Sequence, residues 1–245
     1  MKKVLLSVGV TLVLSTGAYA SEKVHWGYTG AEAPENWKNL SPEFSACGGK
    51  NQSPINLTGF TEAELPPVKF LYQPAGGKEV VNNGHSIQVN YAPGSTFSIG
   101  GDNFELKQFH FHSPSENQID GKLYPFEAHF VHMNDAGEIA VVAVLYNQGE
   151  KSKALCQFWP QIPKKAGETK KLEKAADASM FLPENKDYYY FNGSLTTPPC
   201  SEGVRWIVFK EAQTVSKEQI NAFTKVMHHP NNRPVQPVNS RLILK

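Results

Sequence analysis

The sequence predicts a mainly β protein with one domain, and three observations carry that prediction. Helical periodicity is scarce, short runs rich in β-branched and aromatic residues recur, and turn-forming pairs separate them. A chain of 245 residues, 40% hydrophobic and 11% aromatic, can bury one sizeable core, so one large domain is expected in preference to two.

The first twenty residues stand apart from the fold. Met1, Lys2 and Lys3 give a positive start, Val4 to Leu14 is an apolar run, and Ala18-Tyr19-Ala20 is a small-x-small cleavage site, the pattern of a secretory signal peptide. The apolar run falls short of the roughly 20 residues that span a bilayer. Residues 1–20 are therefore expected to be removed, leaving a domain over 21–245 that is periplasmic or secreted and not stably inserted in a membrane. Strands are expected at Ser86 to Tyr91, Thr96 to Ile99, Phe104 to Phe111, Ala128 to His132, Ile139 to Tyr146 and Arg205 to Phe209. The turn formers between them include Asn83-Gly84, Pro93-Gly94, Asp120-Gly121 and Asp135-Ala136-Gly137. The basic, polar stretch from Lys164 to Lys174 reads as a solvated surface segment. One helix is expected, Ser216 to His228. Ser216 caps it, Gln219 stands three residues on, and Ile220, Phe223, Val226 and Met227 form one apolar stripe.

Charge excludes some partners. With 24 basic and 23 acidic side chains, a net charge of +1 gives no electrostatic footprint for nucleic acid or an anionic membrane surface. Export makes the cysteines readable, because oxidising compartments let disulfides persist. Cys47, Cys156 and Cys200 allow one intramolecular bridge in three pairings. Cys47 and Cys200 lie in turn-rich segments and are the favoured pair, whereas Cys156, among the apolar neighbours of "ALCQFWP", suits a buried thiol.

The chemistry is concentrated in "QFHFHSPSEN", from Gln108 to Asn117. Alternation along a strand puts His110 and His112 on one face and Phe109 and Phe111 on the other. Downstream, "FEAHFVHMN" puts Glu127, His129 and Val131 on one face, with Ala128, Phe130 and His132 on the other. A third imidazole, His129, can thus meet the first two across neighbouring antiparallel strands. Three histidines leave a tetrahedral zinc one open position, the arrangement of a catalytic site, although a protein that merely binds zinc fits this pattern too. His132 faces away and reads as a satisfied or exposed histidine.

Further segments share one resemblance. "HWGY" at His25, "NQSPINL" from Asn51, "NNGHSIQV" from Asn82, "QFHFHSPSEN", "EAHFVH" from Glu127, "GSLTTPPCSEGVRW" from Gly193 and "RPVQPVNSR" from Arg233 occur in one order. Together they make the chain resemble an α-class carbonic anhydrase of bacterial, exported type over essentially its whole mature length. The resemblance implies a large, central, mostly antiparallel twisted sheet with a few short peripheral helices. It also implies a Zn2+ cofactor in a conical cleft, and carbon dioxide and bicarbonate as substrate and product. His110, His112 and His129 become the zinc ligands, and Gln108 and Glu127 the partners of the His110 and His129 rings.

The same resemblance gives the remaining residues their roles. Thr196 accepts the proton of a hydroxide at the metal and donates its own to Glu116, so that only a protonated ligand fits there. Val131, Val141, Leu195 and Trp206 form an apolar substrate wall, and Val131 also follows from sharing the strand face of His129. His85 is the proton shuttle, with a pKa of about 6.5 if it is partly exposed. Tyr28 and Asn83 line its water route, and Gln88 and Thr197 lie on the polar side. A homodimer is compatible with these features. Two other classes share part of the pattern. A cupin-like metal enzyme also combines His-x-His with a glutamate and a later histidine, and would make Glu116 itself a ligand. A non-catalytic zinc-binding protein would keep the histidines without needing Thr196, Glu116 and His85 together.

Overall fold

The alternating segments pair into one eleven-stranded sheet in the computed structural model, which describes residues 24–245. The expected signal peptide at 1–20 lies outside the described residues. The main path of the sheet runs Thr169–Ala176, Gly77–Asn82, Ile87–Tyr91, Asp102–His112, Phe126–Met133, Ile139–Gln148, Glu202–Phe209, Tyr188–Ser194. Pairing is mostly antiparallel, but Ile139–Gln148 runs parallel to Glu202–Phe209 and Gln213–Val215. The expected strands over Phe104 to Phe111 and Ala128 to His132 are thus present and slightly longer. The expected helix is Lys217–Met227, where Ser216 accepts from the Gln219 N–H and the Gln219 side chain accepts from the Ser216 N–H. Phe223 and Met227 bury its apolar stripe, the short helix Lys153–Cys156 packs on the same core through Ala154 and Leu155, and the helix Trp37–Leu40 packs beside the Cys47–Cys200 cluster.

Two expectations are corrected. The stretch Lys164 to Lys174 is not only a solvated segment, because Thr169–Ala176 forms the sheet's edge strand, with Leu172 and Ala176 buried. Lysines on the open side of an edge strand protect it from further pairing and hide its alternation. Cys156 is exposed, not buried. The short helix Lys153–Cys156 buries Ala154 and Leu155, and about 100° of rotation per residue carries Cys156 off that face.

The sheet's two faces build two cores. On one, Phe109, Phe111, Ala128, Phe130, Val142 and Val144 pack with Phe158 and Phe181. On the other, Val141, Ala143, Leu145, Trp206 and Val208 pack with Ile55 and Leu57. His132 lies on the first side as a satisfied histidine, with Nε2 2.7 Å from the Tyr72 hydroxyl and Nδ1 3.3 Å from the Ala140 carbonyl.

Cys47 and Cys200 form a disulfide across 153 residues of chain. It joins the amino-terminal segment to the loop Leu195–Cys200. A closed loop of that length restricts the unfolded chain strongly, so replacing both cysteines by serine is expected to cost about 2–5 kcal/mol in a denaturant unfolding experiment. Alkylation of the unreduced, unfolded protein should label Cys156 alone.

Candidate metal centre

Cross-strand register gathers the sequence-predicted residues. His110 stands opposite Gln88 on one neighbouring strand and His129 on the other, and His129 stands opposite Ala143. The adjacent row is Gln108, Val131, Val141 and Trp206. Directly opposed residues share a face with Cβ atoms about 4.5–5.5 Å apart. The two rows therefore set imidazoles beside an apolar strip, with Leu195 and Val131 packed against Val141 and Trp206.

His110, His112 and His129 each place one ligand-capable atom within 4.8 Å of the others. The second nitrogen of each ring is engaged elsewhere. His110 Nδ1 lies 2.8 Å from Gln108 Oε1, and His112 Nδ1 lies 2.7 Å from the Asn231 carbonyl. His129 Nε2 lies 2.9 Å from Glu127 Oε1, without a hydrogen bond of full geometry. These contacts leave Nε2 of His110 and His112 and Nδ1 of His129 directed to a common point. His112 Nε2 is buried without a hydrogen-bond partner, an arrangement that a bound metal satisfies. Burial lowers the pKa of all three rings, and for His110 and His129 the neighbouring imidazoles lower it further. The rings are thereby kept in the neutral form that ligates. Three imidazoles with one open position fit catalytic zinc. Glu116 is not a member of this group, as a cupin-like site would require.

Glu127 is fully buried and collects donors. Its Oε2 accepts from the N–H groups of Glu116 and Asn117 at 2.6 and 2.9 Å, and its Oε1 from Asn117 Nδ2 at 2.8 Å. This cradle fixes the carboxylate behind His129. Glu127→Ala is expected to weaken metal affinity or activity roughly 10- to 100-fold, which competition against a chelator of known affinity measures.

Glu116 is 1% exposed, and its Oε1 accepts from the Arg233 N–H at 2.8 Å. Its Oε2 has no partner and lies 3.5 Å from His112 Nε2 and 3.9 Å from His129 Nδ1. Burial pushes this carboxyl up to about 8, against the lowering effect of the Arg233 N–H and of the Thr196 hydroxyl. Thr196 is near enough to act on the carboxyl, without a hydrogen bond of full geometry between them.

Thr196 and Thr197 belong to the connection between Tyr188–Ser194 and Glu202–Phe209, and several contacts pin it. The Thr197 carbonyl accepts from Cys200 N–H at 2.9 Å, and Leu195 N–H donates to Ser201 at 3.0 Å. Ser53 and Ser194 exchange main-chain and side-chain hydrogen bonds at 2.9 and 3.1 Å. A Cβ on Gly193 would fall 2.1 Å from Ser53 Oγ, so this close approach requires glycine. Trp206 donates its indole N–H to the Ser194 carbonyl at 3.0 Å, which leaves only apolar ring surface toward His129.

His85 is placed by Asn83, whose Oδ1 accepts from the N–H groups of His85 and Ser86 at 2.9 and 2.7 Å, while its amide reaches Gln88 Oε1 at 3.3 Å. The imidazole differs from the sequence expectation of an ordinary pKa. It stacks on Trp26 with ring centroids 3.7 Å apart. The lost hydration, with charge repulsion from His25 and His229, lowers its pKa to about 4. Tyr28 stands beside it at 6.5 Å between ring centroids, its hydroxyl buried and unpartnered.

Three contributors escape sequence reasoning. Asn231 supplies the His112 acceptor through a main-chain carbonyl, which carries no sequence signature, and its amide donates to the carbonyls of His85 and Phe111. Arg233 holds Glu116 through its N–H while its guanidinium donates to Gln52, Ser53 and Cys47. Trp26 governs His85 by stacking. The "HWGY" and "RPVQPVNSR" segments contain two of these residues, and only their roles are hidden.

Comparison with known proteins agrees with this geometry. Residues 32–245 match the eukaryotic-type carbonic anhydrase family. The chain is 46% identical over 240 residues to a carbonic anhydrase of Pectobacterium carotovorum, covering 98% of both chains. It is 49% identical over 223 residues to one of Neisseria gonorrhoeae, covering 90% of this chain and 88% of that protein. The α-carbonic anhydrase of Thermovibrio ammonificans, solved in complex with the inhibitor sulfanilamide, superposes with a TM-score of 0.89 at 49% identity, covering 91% of this chain and all of that one. The chain belongs to the eukaryotic-type, or α, carbonic anhydrase family.

Proposed function

We propose that this chain is a zinc enzyme of the periplasm or cell exterior that catalyses the reversible hydration of carbon dioxide to bicarbonate and a proton. Residues 1–20 act as its signal peptide and 21–245 as its catalytic domain. The observation that supports this reading most strongly is the convergence of three neutral imidazoles whose outer nitrogens are already engaged by Gln108, Asn231 and Glu127. Zinc held there would supply a nucleophile of hydroxide strength near neutral pH, carbonic anhydrase being the standard instance of a metal lowering the pKa of water to about 7.

The chain's own residues then divide the work. Gln108, the Asn231 carbonyl and Glu127 set tautomer and ring direction. Val131, Val141, Leu195 and Trp206 offer carbon dioxide, a linear molecule without net charge or dipole, an apolar wall. Burial holds the Glu116 carboxyl at about 8 despite the Arg233 N–H and positive charge, and the charge of a zinc ion held by the neighbouring histidines would shift it toward the ionised form. An ionised Glu116 can only accept, so Thr196 donates to it and presents a lone pair toward the reacting oxygen. That pairing selects an attacking group that itself carries a proton. Thr197, Gln88, Asn83 and Tyr28 provide the polar side along which the released proton leaves toward His85.

A stopped-flow hydration assay on protein of measured zinc content tests this reading. The expected rate exceeds that of the buffer and scales with zinc content. Protein carrying one zinc per chain and showing no hydration above the buffer would contradict it.

A further inference from the structure

Tyr28 separates the buried carboxyl side of the site from a group of imidazoles. Inward it is electrostatically coupled to Glu116 and Arg233. Two rings flank it, His85 at 6.5 Å and His229 at 5.9 Å between centroids. His229 is thus as near to Tyr28 as the expected shuttle is. Its Nδ1 lies 2.9 Å from the Pro230 carbonyl. A carbonyl can only accept, so this contact assigns the proton to Nδ1 and leaves the lone pair on Nε2. The half-buried ring is tied to the site by its own chain. Two residues on, Asn231 holds His112 with its carbonyl and the His85 carbonyl with its amide.

His85 alone is a poor acceptor where it stands. Its pKa is lowered to about 4, whereas the water that must lose a proton titrates near about 7 in this chemistry. Each pKa unit of mismatch costs a factor of ten in the transfer equilibrium. His25, which also repels a charge on His85, lies farther out, with Nδ1 2.9 Å from Glu32.

We propose that His229 is a second proton acceptor for carbon dioxide hydration, sharing with His85 the passage of the proton from the site to the buffer. The step is a plain proton transfer through water. An O–H bond breaks as an N–H bond forms at Nε2, and a buffer base then removes the proton and restores the neutral ring. Of the charged groups nearby, His25 acts directly on His85 and is itself paired with Glu32, while Glu116 and Arg233 act on the intervening Tyr28. The proposal rests on the hydration activity described above.

The test uses full-length, zinc-loaded protein as wild type, His85→Ala, His229→Ala and the double variant. In dilute buffer, each single variant should lower kcat and leave kcat/KM unchanged. The double should fall further, toward the diffusional ceiling on proton release of about 10³ s⁻¹. Added imidazole should restore turnover in each case. A His229→Ala variant with wild-type kcat and a double no slower than His85→Ala would overturn the proposal, as would parallel losses in kcat and kcat/KM. A second readout, histidine ring NMR, is independent of turnover. His229→Ala should raise the titration midpoint of His85, and an unmoved midpoint would show that the two rings do not interact, against the proposal. Absence of hydration in the wild type would instead sink the functional reading itself.

Discussion

His129→Ala is expected to abolish stoichiometric zinc binding and nearly all hydration activity. The side chain is 1% exposed, wedged between Trp206 at 4.9 Å and the other two imidazoles, and backed by Glu127. No other described histidine can take its place, since His132 points to the opposite core and is bonded to Tyr72 and Ala140. Two imidazoles cannot complete a site that needs three protein ligands. Zinc per chain after dialysis, with the hydration rate on the same sample, checks this. A variant that kept one zinc and the full rate would show the ligand assignment to be wrong.

Arg233→Met is expected to destabilise the fold by about 3–5 kcal/mol, because three buried acceptors lose the guanidinium that serves them. Arg233 is 2% exposed, lies over the Trp37 ring, and donates to Gln52 Oε1 at 2.8 Å, Ser53 O at 2.7 Å and Cys47 O at 2.9 Å. Burial lowers its own pKa to about 10, so the charge is held there at a cost. Methionine removes that cost but leaves three buried acceptors without donors, each worth about 1–3 kcal/mol when unmet. The acceptors outweigh the relief. Urea unfolding at neutral pH measures the difference, and a loss below about 1 kcal/mol would mean that water replaces the guanidinium.

The parts of this site that alternation controls are legible in the sequence. Phe109 and Phe111 belong to one face and His110 and His112 to the other because the strand period is two, and Glu127, His129 and Val131 follow the same rule. What alternation does not control is hidden. The Thr169–Ala176 edge strand is masked by its lysines, and Cys156 leaves the core because it lies one residue, about 100° of helical rotation, beyond the buried Leu155. The Asn231 carbonyl that holds His112 has no residue signature at all. His85 has its pKa set by Trp26, His25 and His229, which only the folded chain brings close. The family resemblance therefore implies a shuttle at His85, while its basicity depends on neighbours.

The most direct measurement is a zinc titration of chelator-stripped protein, following carbon dioxide hydration at each addition. The account predicts negligible catalysis in the stripped protein, a linear rise with added zinc, and a sharp break at one zinc per chain. Full activity without zinc, or a break at a different stoichiometry, would contradict a single catalytic centre formed by His110, His112 and His129.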